Sequence, residues 1–463
     1  MFLGYVAVSG VSIYRYSKNK SFSGGGIYDS ANNISLDTNT IVLFIFVLCV
    51  AIGFSWLYFL GARYFPKTFI WVTGILNIVL ALATGIWYLT RKQYGAGIVF
   101  LIFGVFAVIC FISWIPRIPF TAFMLRTAMD VAKGHFQVFL VSALGGIVTV
   151  AFAAWYSVTL VAIYTAYEPS SSSSSPGASS NPSCSDGGCS RARVIGLVVY
   201  VTFAMYWLSE WIKNTVHTTV AGIYGSWYFY TQDPDVTSSD VRQSAKTLPK
   251  GATRGAFTRA TTYSFGSVSL GSLIIAFVNA LRQACSMLYR HEAAEGSIVG
   301  SIFACILTSL IALLDWLVTL FNRYAFCHIA LYGKAYIPAA KDTWKMVKDR
   351  GVDALVNDCL MGPVLTMGSV GVAYISALLA YLYLLYTKPE YNSEGNFTAV
   401  IMAFAFVIGL QVCQVFLTPV GSGIETFFVG VSWDPEVLWS AHPGVWHGMV
   451  KVYPKVQRTL RHD

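Results

Sequence analysis

Nine stretches of roughly twenty apolar residues, separated by short polar pieces, constrain this chain more than any other feature. They fall at 41–60, 68–89, 95–115, about 136–164, 194 onward, 264–285, 297–320, 359–386 and 398–419. A helix of about twenty apolar residues crosses the ~30 Å hydrocarbon core of a bilayer. Water is absent there, so a spanning segment must bond its own peptide groups, which a helix does. The chain therefore reads as an all-α polytopic membrane protein. A mean hydropathy of +0.59 and 11% charged residues agree, against ~25% charged in a soluble domain. Residues 1–14 (MFLGYVAVSGVSIY) are also apolar but make only about 21 Å of helix. They lack the basic start and cleavage site of a secretory signal. They read as the end of a truncated first span, giving nine full spans plus a remnant.

The polar pieces set the orientation. Residues 15–40 form a Gly/Ser/Asn loop, 168–193 a Ser-rich low-complexity loop, 231–258 and 322–358 two basic segments, and 420–463 a polar tail. Residues 117–134 mix basic and apolar positions and read as an interfacial amphipathic helix. If the remnant ends outside, the outer loops hold nine Lys and Arg and the inner segments twenty, with Lys213 and Arg282 inside spans. That is the positive-inside bias. It makes 15–40 and 168–193 extracellular, and 231–258, 322–358 and the tail cytoplasmic, around a transmembrane domain over 41–419. The sequons at Asn19, Asn33 and Asn396 all fall outside. So do Cys184 and Cys189, where a disulfide is permitted. Cys49, Cys110, Cys285, Cys305 and Cys413 lie in apolar runs and read as small buried hydrophobes. The net charge of +9 is spread between spans and gives no nucleic-acid patch. No metal-ligand spacing, P-loop, HExxH or GxSxG motif occurs, so neither cofactor nor catalytic centre is expected.

The run from 194 to 230 departs from a plain anchor. After fifteen nearly apolar residues it places Trp207, Glu210, Asn214 and His217 at steps of three, four and three, on one helical face. An acid in hydrocarbon costs about 2.5–3.5 kcal/mol on insertion scales, so it usually faces a bundle interior or a watery cavity. Glu210 lies roughly 24 Å along the helix from Val194, still inside a ~30 Å core. The stripe reads as the lining of a pathway, with Glu210 as a possible proton-coupling group. A salt bridge from Glu210 to Lys213 is the plainer alternative. His217 reads as solvated near the inner surface. Trp227, Tyr228 and Tyr230 read as an interfacial aromatic belt. Gly266, Ser267, Gly271 and Ser272 read as a small-residue face for close helix packing.

Three ordered blocks carry a resemblance: YWLSEWIKNTVHTTVAGIYGSWYF at 206–229, SFGSVSLGSLIIAFVNALR at 264–282 and NRYAFCHIALYGKAYIPAAKDTW at 322–344, followed by RGVDALVND at 350–358. They resemble the choline transporter-like family, most closely its fungal pH-nine-sensitive branch of the plasma membrane. The resemblance covers nearly the whole chain from about Tyr14. It implies ten spans, cytoplasmic termini, a multi-pass plasma-membrane protein and solute transport, with choline or a related amine as the usual substrate. A trimethylammonium head has no N–H, so it is recognised by aromatic faces and a diffuse negative field. Tyr206, Trp207 and Trp211 around Glu210, with Asn214 beyond, supply that chemistry on one helix. The expected function is a secondary or facilitated carrier of an organic cation, with membrane lipids as its surroundings. The alternatives are a carrier or channel for another solute, or a non-transporting scaffold or stress sensor. The sequence leaves the oligomeric state open.

Overall fold

The computed structural model describes residues 1–18, 38–90, 94–167, 190–230, 249–294, 298–387 and 398–452. Asn19, Asn33, Asn396, Cys184 and Cys189 lie outside the described residues. Among those described, every regular element is helical. The order is α1 (Phe2–Lys18), α2 (Thr38–Tyr64), α3 (Pro66–Thr90), α4 (Tyr94–Trp114), α5 (Ile118–Gly134), α6 (Gln137–Tyr167) and α7 (Arg191–Tyr228). There follow α8 (Ala252–Thr258), α9 (Phe265–Ala294), α10 (Ile298–Tyr332), α11 (Tyr336–Thr387), α12 (Thr398–Trp433), α13 (Pro435–Ala441) and α14 (Pro443–Val452). Nine of the described helices are long and apolar enough to cross a membrane. The protein is an all-α, multi-pass membrane protein.

The helices fall into two compact units. The first comprises 1–34, 144–216 and 265–322; the second comprises 35–143, 217–264 and 323–463. The first unit is built around a cluster of Tyr5, Phe152, Ile163, Val194, Val201 and Ala204. Its buried hydroxyls Ser9 and Thr159 are neutral and pair with their neighbours. Trp155 Nε1 donates to Ser9 Oγ at 2.7 Å, and Ser9 and Thr159 share a 2.8 Å hydroxyl bond. Such pairing is needed because an orphan polar group in an apolar interior costs more than its bond returns.

In the second unit α2, α11 and α12 enclose Leu43, Val47, Ala380, Leu384, Ile401 and Ala405. Gly409 sets how closely α11 and α12 approach. A Cβ there would lie 2.6 Å from Ser376 Oγ and 2.9 Å from Ala373 Cα. The interior also carries charge. Arg63 Nε bonds Asp130 Oδ1 at 2.6 Å, with side chains only 12% and 8% exposed.

Three sequence expectations change here. Residues 117–134 do form a helix, but protein covers it: Ile118, Met124, Leu125, Ala128 and Met129 are buried, and Tyr224 Oη donates to the Ala128 carbonyl at 2.9 Å. The basic segment 322–358 divides between the end of α10 and the first half of α11, a helix of 52 residues. The last span does not stop at Pro419. Helix α12 contains that proline and runs to Trp433, and burial continues at Leu438, His442, Val445 and Met449. Apolar spacing persists beyond 419 (Val420, Ile424, Phe427, Phe428, Val431), and this keeps the chain helical and packed.

Candidate functional site

Helix α7 is 38 residues long and holds all five residues expected to bind substrate. In the first unit it packs on α9 at Ser269 and Ser272, whereas Gly266, expected on the close-packing face, is exposed with nothing within 4 Å of where its Cβ would stand. Trp207 Nε1 donates to the Ser269 carbonyl at 3.1 Å, and Asn214 Nδ2 donates to Ser272 Oγ at 2.9 Å. Bulkier residues at 269 and 272 would hold the two backbones too far apart for either bond.

Trp207 and Trp211 line a cavity of about 680 Å³, together with Phe2, Phe152, Trp155 and Phe265. Trp211 meets Phe265 edge to face at 5.5 Å. The indole N–H of Trp211 is buried and has no hydrogen-bond partner among the described residues. Ser269, Ile212, Leu208, Val148, Ala151 and Met1 make up the rest of the lining, which contains no ionisable side chain.

The remaining three expected residues are placed differently. Tyr206, Glu210 and Asn214 do not line this cavity. Glu210 lies 3.4 Å from Lys213 Nζ, the salt bridge that the i,i+3 spacing allows. Asn214 is buried against α9 and joins helices. At 100° per residue, Trp207 and Trp211 are 40° apart, but Glu210 and Trp211 are 100° apart. One cavity can therefore take both indoles without the carboxylate.

His217 is not solvated: its side chain is 10% exposed. Its neighbours come from α10 and α12 within the second unit. Nδ1 lies 2.8 Å from Ser422 Oγ, and Nε2 lies 3.2 Å from the Arg323 carbonyl. Nε2 is also 3.6 Å from Cys327 Sγ and 3.6 Å from Glu425 Oε2. Arg323 approaches Glu425 Oε1 at 3.4 Å, and Thr426 Oγ1 lies 3.5 Å from the thiol. Sequence reasoning missed this group because it comes from three helices and placed Glu425 in a solvated tail. The available signal was helical spacing: Ser422, Glu425 and Thr426 share one face, as do Arg323 and Cys327.

Trp227 and Tyr228 leave the expected aromatic belt as well; both are 1% exposed. Trp227 stacks on His442 at 4.4 Å, and Tyr228 Oη donates to the Asp434 carbonyl at 2.8 Å. Tyr332 Oη bonds Asp434 Oδ2 at 2.7 Å, while Lys334 Nζ sits over the Tyr332 and Trp433 rings and pairs with Asp342 at 2.5 Å. Tyr230 alone keeps an exposed position, at 38%.

Comparison with known proteins agrees with this architecture. The family model described as plasma-membrane choline transporter matches residues 98–436. The protein pns1 of Aspergillus fumigatus is 71% identical over 461 residues, covering 100% of this chain and 83% of the relative. The Candida albicans protein PNS1 is 41% identical over 99% of this chain and 86% of its own length. The Saccharomyces cerevisiae protein PNS1 is 38% identical, with 99% and 83% covered. The chain belongs to the choline transporter-like family.

Proposed function

We propose that the protein carries choline or a related organic cation across the plasma membrane as a secondary or facilitated carrier. The observation behind this reading is the aromatic cavity of the first unit. A quaternary ammonium is attracted to ring faces, each contributing about 0.5–2 kcal/mol depending on desolvation. Trp207 and Trp211 line the cavity from adjacent turns of α7. The buried Trp211 N–H suits an alcohol oxygen, which is the other end of choline. The volume of about 680 Å³ lies within the ~300–1,000 Å³ range of ligand pockets. Glu210, on the same helix, supplies negative potential from outside the lining, reduced by Lys213. Asn214 holds α7 to α9 beside the two indoles.

The test is uptake of labelled choline into proteoliposomes made with the purified full chain. Trp211→Ala is expected to raise the half-saturating concentration roughly three- to thirtyfold, equivalent to about 0.6–2 kcal/mol. Trp207→Ala should behave similarly, and the double variant should fall short of the sum because both line one cavity. Wild-type vesicles that take up no choline while sealed and correctly loaded would sink the reading.

A further inference from the structure

We propose that His217, Cys327 and Glu425 form a metal site for a borderline divalent transition ion, zinc above all, joining α7, α10 and α12 within the second unit. All three residues are buried, and their ligand atoms lie within 4.8 Å of one another. The donor set is one imidazole nitrogen, one thiolate sulfur and one carboxylate oxygen, each a usual zinc ligand.

Distances between the donors support the assignment. Zinc binds histidine nitrogen at about 2.0–2.1 Å and thiolate sulfur at about 2.3 Å. Tetrahedral angles then place nitrogen and sulfur about 3.6 Å apart, and nitrogen and carboxylate oxygen about 3.4 Å apart. Nε2 of His217 is 3.6 Å from Cys327 Sγ and 3.6 Å from Glu425 Oε2. These two edges match a tetrahedral site to within a few tenths of an ångström. The third, from sulfur to carboxylate oxygen, is within 4.8 Å, so that closing on an ion of about 3.6 Å edge asks at most a small side-chain movement. Three protein ligands leave the fourth position to water or another small donor.

The surroundings of the donors also match. A metal-bound histidine usually directs its other nitrogen to a hydrogen-bond acceptor that fixes the tautomer. Nδ1 of His217 faces Ser422 Oγ at 2.8 Å, a hydroxyl that can accept the imidazole proton when a metal takes Nε2 from the Arg323 carbonyl. Thr426 Oγ1 lies 3.5 Å from Cys327 Sγ and gives its proton to the Ser422 carbonyl at 2.7 Å, so it would serve a thiolate by turning that proton from the carbonyl to the sulfur. Arg323 meets the Oε1 edge of Glu425, on the other oxygen from the one facing His217. Metal binding releases the Cys327 proton to solvent and replaces the contact between Nε2 and the Arg323 carbonyl. One thiolate and one carboxylate balance a dication, so burying the ion leaves no net charge beyond that of Arg323.

The test uses the purified full chain in detergent, stripped with chelator, reloaded with zinc and freed of excess. About one zinc per chain is expected, since a preformed site of three ligands holds a single ion. Cys327→Ser should weaken zinc affinity at least roughly tenfold. Cys285→Ser, which changes a buried cysteine of the first unit, should not. Cobalt(II) loading of the wild type supplies a second readout, a thiolate-to-cobalt charge-transfer band, which Cys327→Ser should abolish. If the serine variant fails to fold, the wild-type cobalt spectrum decides alone. Wild-type protein that retains no zinc, or binds cobalt without a thiolate band, overturns the proposal, as does a folded Cys327→Ser chain with unchanged affinity.

Discussion

In the first unit, Glu210 and Asp315 are 15% and 18% exposed and pair with Lys213 and Arg282, which are 60% and 54% exposed. In the second, Asp130 at 8% meets Arg63 at 12%, and Glu425 at 11% meets His217 at 10% besides the half-exposed Arg323. The cavity of the first unit is lined by rings and carries no ionisable side chain; the best-formed polar cluster of the second holds a histidine, a thiol and a carboxylate. An exposed pair contributes roughly 0–1 kcal/mol, whereas removing one member of a buried pair costs about 3–5 kcal/mol. The first unit can therefore lose a charge and keep its shape. The second cannot, and its charges specify how its helices meet.

The largest effect expected from this contrast is at Asp130. Asp130→Ala strands Arg63 in the interior of the second unit and should cost about 3–5 kcal/mol. It should show as loss of the monodisperse peak on detergent gel filtration. Normal yield and melting temperature for this variant would remove the contrast altogether.

Much of the fold was legible because membrane solvation writes it in composition. Each span announces itself as an apolar run, and all nine runs became helices. The ends were less legible. Pro419 looked like a stop, but Val420, Ile424, Phe427 and Val431 are themselves buried, which favours continuing the helix. The candidate site was legible only where one helix carries it. Trp207 and Trp211 come from a single run, so periodicity brings them together. His217, Cys327 and Glu425 each look ordinary alone, and only packing unites them. Trp227 and His442 are 215 positions apart, and no local pattern relates them.

A smaller effect is expected at His442, in the link between α13 and α14. Burial lowers its imidazole pKa below the ordinary 6.5, outweighing the raising effect of the Trp227 and Tyr228 carbonyls. With the folded value lowered, the unfolded chain takes up the proton first. Its contribution to stability is then full above about pH 6.5 and is lost as pH falls through the folded value. Thermal melts from pH 7.5 to 5 should show a downward slope that His442→Gln makes shallower. An identical slope in the variant would mean that other groups control it.

The smallest effect belongs to Glu210→Gln in the first unit. Its salt bridge has an exposed partner and its carboxylate stands outside the cavity, so folding should be unchanged. Choline affinity should fall only about two- to fivefold, or about 0.4–1 kcal/mol, less than for either tryptophan. A loss exceeding that of Trp211→Ala, measured in the same vesicles, would shift recognition from the rings to the carboxylate.

The central claim is that ring faces in the first unit recognise a positive charge. Its most direct test compares choline with 3,3-dimethylbutan-1-ol, the neutral carbon analogue of the same shape, in equilibrium binding to the purified chain. Cation–π recognition predicts that choline binds at least about tenfold more tightly, a difference of about 1.4 kcal/mol, and that Trp207→Ala with Trp211→Ala erases most of that preference. Equal affinity for the two compounds, or a preference that survives loss of both indoles, would contradict it.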